Sequence, residues 1–162
     1  MERAQSSLEY LFMIAVALVL VLFVVKILYG VANSATEVGC DNVVISYINY
    51  DAGGPEVNDR DALNSEYVII ENRGCEAVNL EGWRLMDEAH HVYVFPSLIL
   101  EPGASVKVHT GTGTDTDSDL YWGRGQAVWN NNGDTAYLYD AEGNLVDKCS
   151  WTGDEGGAVS CH

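Results

Sequence analysis

From Leu11 to Val25 the chain runs through fifteen residues without a charged or strongly polar side chain, and it continues apolar through Lys26-Ile-Leu-Tyr-Gly-Val31. At about 1.5 Å per residue, a run of roughly 20 such residues spans the hydrocarbon of a bilayer. No Pro interrupts it and Gly30 comes only near its end, so the pattern predicts one unbroken helix. A helix that is apolar all round needs lipid, or copies of itself, on every side. Glu9 stands at the N-terminal edge of the run, where a lone charge facing hydrocarbon is expensive and wants a partner.

Beyond residue 40 the period shortens. Asn42 to Tyr50 and Glu66 to Glu71 are rich in β-branched and aromatic residues, as strands are. Val78 to Leu80, Gly82 to Met86, Val92 to Phe95, Leu98 to Leu100 and Ala104 to Thr110 read as further short strands, several alternating apolar with polar. Leu120 to Gly123, Gln126 to Trp129, Asp134 to Tyr139 and Leu145 to Trp151 follow, the last three as two tight hairpins. Asn72-Arg73-Gly74 and Glu101-Pro-Gly103 mark turns, the first expected to need a positive φ. Asp51 to Asp61 and Gly111 to Asp119 are polar loops, and Thr152 to Ser160 is Gly-rich and expected to be loose unless Cys161 ties it down. A series of short strands without a helix between them predicts an immunoglobulin-like antiparallel sandwich, so the fold class is α+β, mainly β.

Composition adds a compartment and removes some functions. The chain has 162 residues, of which about 125 remain after the N-terminal helix, enough for one domain. Acidic residues number 24 against 8 basic, and the only lysines are Lys26, Lys107 and Lys148. A polyanionic head repels nucleic-acid phosphates, and a lysine-poor acidic surface fits a high-salt medium that screens its self-repulsion. Secretory signals carry a basic start and a small-residue cut beyond a short apolar stretch. Here Glu2 and Arg3 cancel, Glu9 intrudes, and Lys26 separates the apolar run from Ala32-Asn33-Ser34, the one plausible distal cut. The helix is therefore expected to be retained.

Candidate chemistry is sparse. Cys40, Cys75, Cys149 and Cys161 are even in number, contain no Cys-x-x-Cys and have no His at zinc-ligand spacing. Two disulfides in a head outside the cytoplasm are expected, with all three pairings open. Asp115, Asp117 and Asp119 space like the first ligands of a calcium loop, but Leu120 stands where Gly is needed and Gln126 where Glu is needed. A solvated polar loop is the simpler reading, there and at Asp51, Asp59 and Asp61. His90 and His91 are adjacent, so a strand would point them to opposite faces and not at one metal. Trp83, Trp122, Trp129 and Trp151 read as core and hairpin packing. No nucleophile elbow, phosphate loop or metalloprotease helix occurs, so neither an enzyme nor a cofactor is expected.

Two resemblances sharpen this reading. Gln5-Ser-Ser-Leu-Glu-Tyr10, just ahead of the apolar run, resembles the class III signal of archaeal type IV pilin-like proteins over about 25 residues. That resemblance implies a leader over residues 1–4, cleavage between Ala4 and Gln5 by a membrane-embedded prepilin peptidase, and a filament-core helix over 5–36. It also implies a linker at 37–41 and a head over 42–162. The helix would wait in the membrane until the pilus assembly machinery draws it into a helical filament of like subunits, where Glu9 pairs with the freed α-amino group of Gln5 on a neighbour.

The second resemblance lies in the head. Glu66-Tyr-Val-Ile-Ile-Glu-Asn-Arg-Gly74, Asn79-Leu-Glu-Gly-Trp-Arg-Leu-Met-Asp87, Phe95-Pro96, Leu100-Glu-Pro-Gly103, Thr110-Gly-Thr-Gly113 and Trp129 to Asp140 are similar to the lamin-tail domain, in that family's order. It covers about residues 42–151, departs at Cys75 and Cys149, and is silent on the tail after Trp151. Together the resemblances imply a surface-filament subunit displaying a lamin-tail head for adhesion or surface contact. A membrane-anchored monomeric binding module and a minor pilin that primes assembly stay open beside it.

Overall fold

The computed structural model describes residues 2–34, 42–51, 62–154 and 156–162. The chain divides into two compact units, Met1–Gly39 and Cys40–His162. The first is a single helix, α1 (Glu2–Ser34). Its side chains from Tyr10 to Val25 are exposed on all sides, as an uninterrupted apolar run without an amphipathic stripe requires. The expected linker at 37–41 and the loop residues 52–61 lie outside the described residues.

The second unit is a sandwich of short strands. β1 (Val43–Asn49), β2 (Tyr67–Asn72), β7 (Ser105–His109), β8 (Asp119–Tyr121) and β11 (Ala158–Ser160) form one sheet in the order β11-β1-β2-β7-β8. β4 (Arg84–Met86), β5 (Val92–Val94), β9 (Asp134–Tyr139) and β10 (Leu145–Trp151) form the other in the order β10-β9-β4-β5. A two-stranded ribbon pairs β3 (Val78–Asn79) with β6 (Ile99–Leu100). All pairings are antiparallel except β7 with β8, which run parallel.

Alternation places the core. In β2, Val68 and Ile70 point inward while Tyr67 and Ile69 are partly exposed, and β7 repeats the pattern with Val106 and Val108. Leu85, Tyr93, Ala136 and Leu138 face them from the second sheet, and Trp129 and Trp151 complete the cluster, with Trp83 and Trp122 packed at its border. β1 departs from strict alternation. Its register shifts between Ile45 and Tyr47, so Ile45 and Ile48 both reach the core and Tyr47 turns outward.

The open edge between the sheets is closed by three devices. Asp147, at a second register shift in β10, accepts the Ile45 amide at 2.7 Å across the sandwich. β11 adds to β1 beside it, Ser160 pairing with Tyr47 and Ala158 with Asn49. The Cys149–Cys161 disulfide then joins β10 to the residue after β11, with Cα atoms 5.6 Å apart. This settles one of the open pairings. Cys75 is also disulfide-bonded, and Cys40 lies outside the described residues.

The end of the Gly-rich tail is tied down through Cys161, with β11 paired to β1 beside it. The structure corrects three expectations. Gln126 to Trp129 is not a strand, so the domain ends in one hairpin, β9–β10, and not two. The Val128 and Trp129 amides donate to the Glu66 carboxylate instead of to a neighbouring strand. Gly74 needs no positive φ, since the buried Asn72 makes the turn by accepting the Gly74 amide at 2.9 Å and donating to the Glu76 and Leu100 carbonyls.

A chain carrying Cys149→Ser and Cys161→Ser is expected to lose about 3 kcal/mol of stability, the value for a short closed loop. Hydrogen exchange at residues 156–162 should then rise toward that of an open chain. Unchanged protection there would show that strand pairing alone holds β11.

Candidate functional site

The first candidate region is the N-terminal half of α1. Glu9–Lys26 has a mean hydropathy of 2.4 over 18 residues, none of them buried, and is long and apolar enough to cross a membrane. Glu9 and Lys26 bracket the run, so the carboxylate lies where hydrocarbon would give way to a polar layer. Ala4 and Gln5 lie within the same helix, one turn before Glu9.

In the head, the acidic loop before β8 is built by its own hydrogen bonds. Asp115 accepts the Tyr121 amide at 2.9 Å, the Thr116 amide donates to the Asp119 carbonyl, and Thr116 Oγ1 accepts the Ser118 and Asp119 amides. Asp119 also accepts Ser118 Oγ at 2.6 Å and meets His109 Nε2 at 3.0 Å. The Ser118 hydroxyl, first, and then the imidazole hold the Asp119 carboxyl below the ordinary carboxylate range. The acid lies between serine and histidine, so the ring cannot take a proton from Ser118, and the trio is no nucleophilic relay.

Among the described residues no three His, Cys, Asp or Glu side chains gather as a metal site. Asp115 and Asp119 take the loop bonds given above and Asp117 is exposed, while Asp59 and Asp61 lie outside the described residues. His90 and His91 occupy the turn before β5, not a strand. His90 takes a φ of 66°, and His91 bonds the fully buried Asp87 through its amide and Nδ1, both at 2.7 Å.

Several features escaped sequence reasoning. A row of rings crosses the first sheet: Tyr47–Tyr67 at 6.0 Å, Tyr67–His109 at 5.7 Å and His109–Tyr121 at 4.9 Å, with Lys107 Nζ 4.6 Å from the Tyr67 ring centre. These residues sit on four strands far apart in sequence, so only the register unites them. Tyr93 is held by burial, and then by the nearby Asp115 charge, at a pKa of about 12. Glu66, fully buried, accepts Thr110 Oγ1 at 2.7 Å and the Val128 amide at 2.8 Å. The polar residue directly ahead of a strong strand was its only signal.

Among the described residues the head is thus a scaffold with an ordered acidic loop and no reacting constellation. The family model for the Lamin Tail Domain matches residues 38–153. The chain belongs to the lamin tail domain family. Its lamin tail domain carries a non-catalytic immunoglobulin-like fold, and the match ends at residue 153, so β11 and Cys161 lie beyond it while Cys149 lies within it. A comparison with curated proteins returned no match.

Because the Asp119 pKa is lowered on folding, its contribution is present above the ordinary value of 3.8 and is lost as pH falls through the folded value. Asp119→Asn is therefore expected to flatten the fall in stability below about pH 4. Thermal unfolding of parent and variant from pH 6 to pH 2.5 checks this, and parallel curves would assign the acid sensitivity elsewhere.

Proposed function

We propose that this chain is the structural subunit of an archaeal type IV pilus-like surface filament. The helix forms the filament core, and the lamin tail head faces the medium for adhesion or surface contact. The observation that carries the reading is the motif Gln5-Ser-Ser-Leu-Glu-Tyr10 at the head of a helix with no buried side in its membrane-length window. A helix of this kind is satisfied by lipid and equally by sister helices, which is what a subunit that moves from membrane to filament requires. On this reading the precursor is a membrane protein, prepilin peptidase cuts between Ala4 and Gln5, and the assembly machinery polymerises the mature chain. Disulfides in the head support an oxidising exterior location.

Mass spectrometry of the native N-terminus tests the first step, with a mature chain starting at Gln5 expected. Electron microscopy of material sheared from cells tests the second, with filaments containing this chain expected. A chain that keeps Met1 and stays wholly with the membrane would instead be an anchored monomeric binding module. A mature chain starting near Ala35 would overturn both.

A further inference from the structure

The outer face of the β10-β9-β4-β5 sheet is unlike the rest of the head. Alternation turns Leu85, Tyr93, Ala136 and Leu138 inward, leaving two cross-strand rows outside. One row is Val94, Arg84, Tyr139 and Leu145. The next is Val92, Met86, Tyr137 and Lys148. Neither row contains a carboxylate, although residues 42–162 hold 20 Asp and Glu against 6 Lys and Arg. Val92, Val94 and Leu145 are 42%, 57% and 50% exposed. Arg84, Met86, Val92, Tyr139 and Gly143 line a hollow of about 200 Å³ on this face. Arg84 and Lys148 form no ion pair among the described residues. Carboxylates stand only at the rim: Asp140 bonded to Asn144, Glu88 bonded to the Thr135 hydroxyl, and the exposed Glu142 beside Gly143.

Charge decides the occupant. Two heads of net charge −14 repel wherever acidic surface meets acidic surface. Here, an apolar face with two unpaired cations attracts the same acidic surface. The densest run of carboxylates in the described head is Asp115-Thr-Asp-Ser-Asp119. Its backbone is already ordered by the bonds described above, so docking immobilises little. Asp117, in its middle, makes no hydrogen bond or ion pair among the described residues and is exposed.

We infer that the outer face of β10-β9-β4-β5 docks the Asp115–Asp119 loop of a second copy of this chain. Loop and face are different surfaces, so the contact is heterologous and repeats from copy to copy without using itself up. This inference rests on the filament reading for bringing heads side by side, and adds the surface by which they meet.

The test uses the full chain in lipid vesicles with a photo-crosslinking benzophenone residue at position 94. Irradiation is expected to give a dimer whose cross-link maps to residues 115–119 of the other copy. Arg84→Glu with Lys148→Glu should lower the dimer yield about ten-fold, the effect of reversing two exposed charge contacts. Adding Asp117→Lys should recover most of it, and tryptophan fluorescence should show both charge variants folded. A cross-link mapping elsewhere, a yield indifferent to charge reversal, or reversal without recovery overturns the docking face. Fibres without the cross-link sink the face and leave the filament, whereas a cross-link without fibres does the opposite.

Discussion

Cells whose only copy of this chain carries Glu9→Gln are expected to hold it in the membrane at the parent level and to make no fibres from it. The amide keeps the size and polarity of the side chain and removes its charge. Insertion needs only the apolar run, 18 residues of mean hydropathy 2.4, and a neutral residue at its edge makes crossing cheaper. Assembly is different. If the Glu9 carboxylate answers the α-amino group of Gln5 on the next subunit, its loss leaves a cation buried among helices without an opposite charge. Breaking one side of such a pair costs about 3–5 kcal/mol per contact, at least a hundred-fold in each addition equilibrium. Membrane fractionation, N-terminal mass spectrometry and microscopy of the variant read insertion, cleavage and assembly separately. Normal fibres from a correctly cut Glu9→Gln chain would remove the pairing.

The largest effect on the head is expected at Glu66. Its Oε1 accepts the Thr110 hydroxyl at 2.7 Å, the Val128 amide at 2.8 Å and the Trp129 amide at 3.3 Å, all buried. The Thr110 amide meanwhile donates to the Glu66 carbonyl, so one residue ties β2, the end of β7 and the segment leading to β9. Glu66→Ala strands three buried donors that water cannot reach and is expected to cost about 3–5 kcal/mol. Glu66→Gln keeps the accepting oxygen and should cost about 1 kcal/mol. Urea unfolding of the full chain in detergent, followed by tryptophan fluorescence, compares them. Equal losses in both variants would show that charge, not hydrogen-bond acceptance, is what the site needs.

Most strands were legible because their cause is local. Glu66 to Glu71 and Asp134 to Tyr139 carry β-branched and aromatic residues at period two, and both form strands within a residue of that expectation. Gln126 to Trp129 looked the same and is not a strand, because a carboxylate sixty residues earlier claims its amides. β11 was illegible for the opposite reason. Three residues following Gly156 and Gly157, both at positive φ, have too little pattern to announce a strand, and only the free edge of β1 makes them one. The candidate site divides likewise: the N-terminal motif and acidic loop could be read directly, whereas the ring row and the cationic apolar face could not.

The amino-acid order by itself determined the membrane-length helix, the edge carboxylate at Glu9, the lamin tail strand series and the acidic character of the head. Each depends on side chains within one or two turns or one strand length, where periodicity and solvation act without reference to the fold. Tertiary structure alone decided that Cys149 joins Cys161, that Glu66 organises the core, and that two outward rows of β10-β9-β4-β5 line up without a carboxylate. Those outcomes depend on strand register, which brings residues tens of positions apart into contact and carries no local signature in the chain.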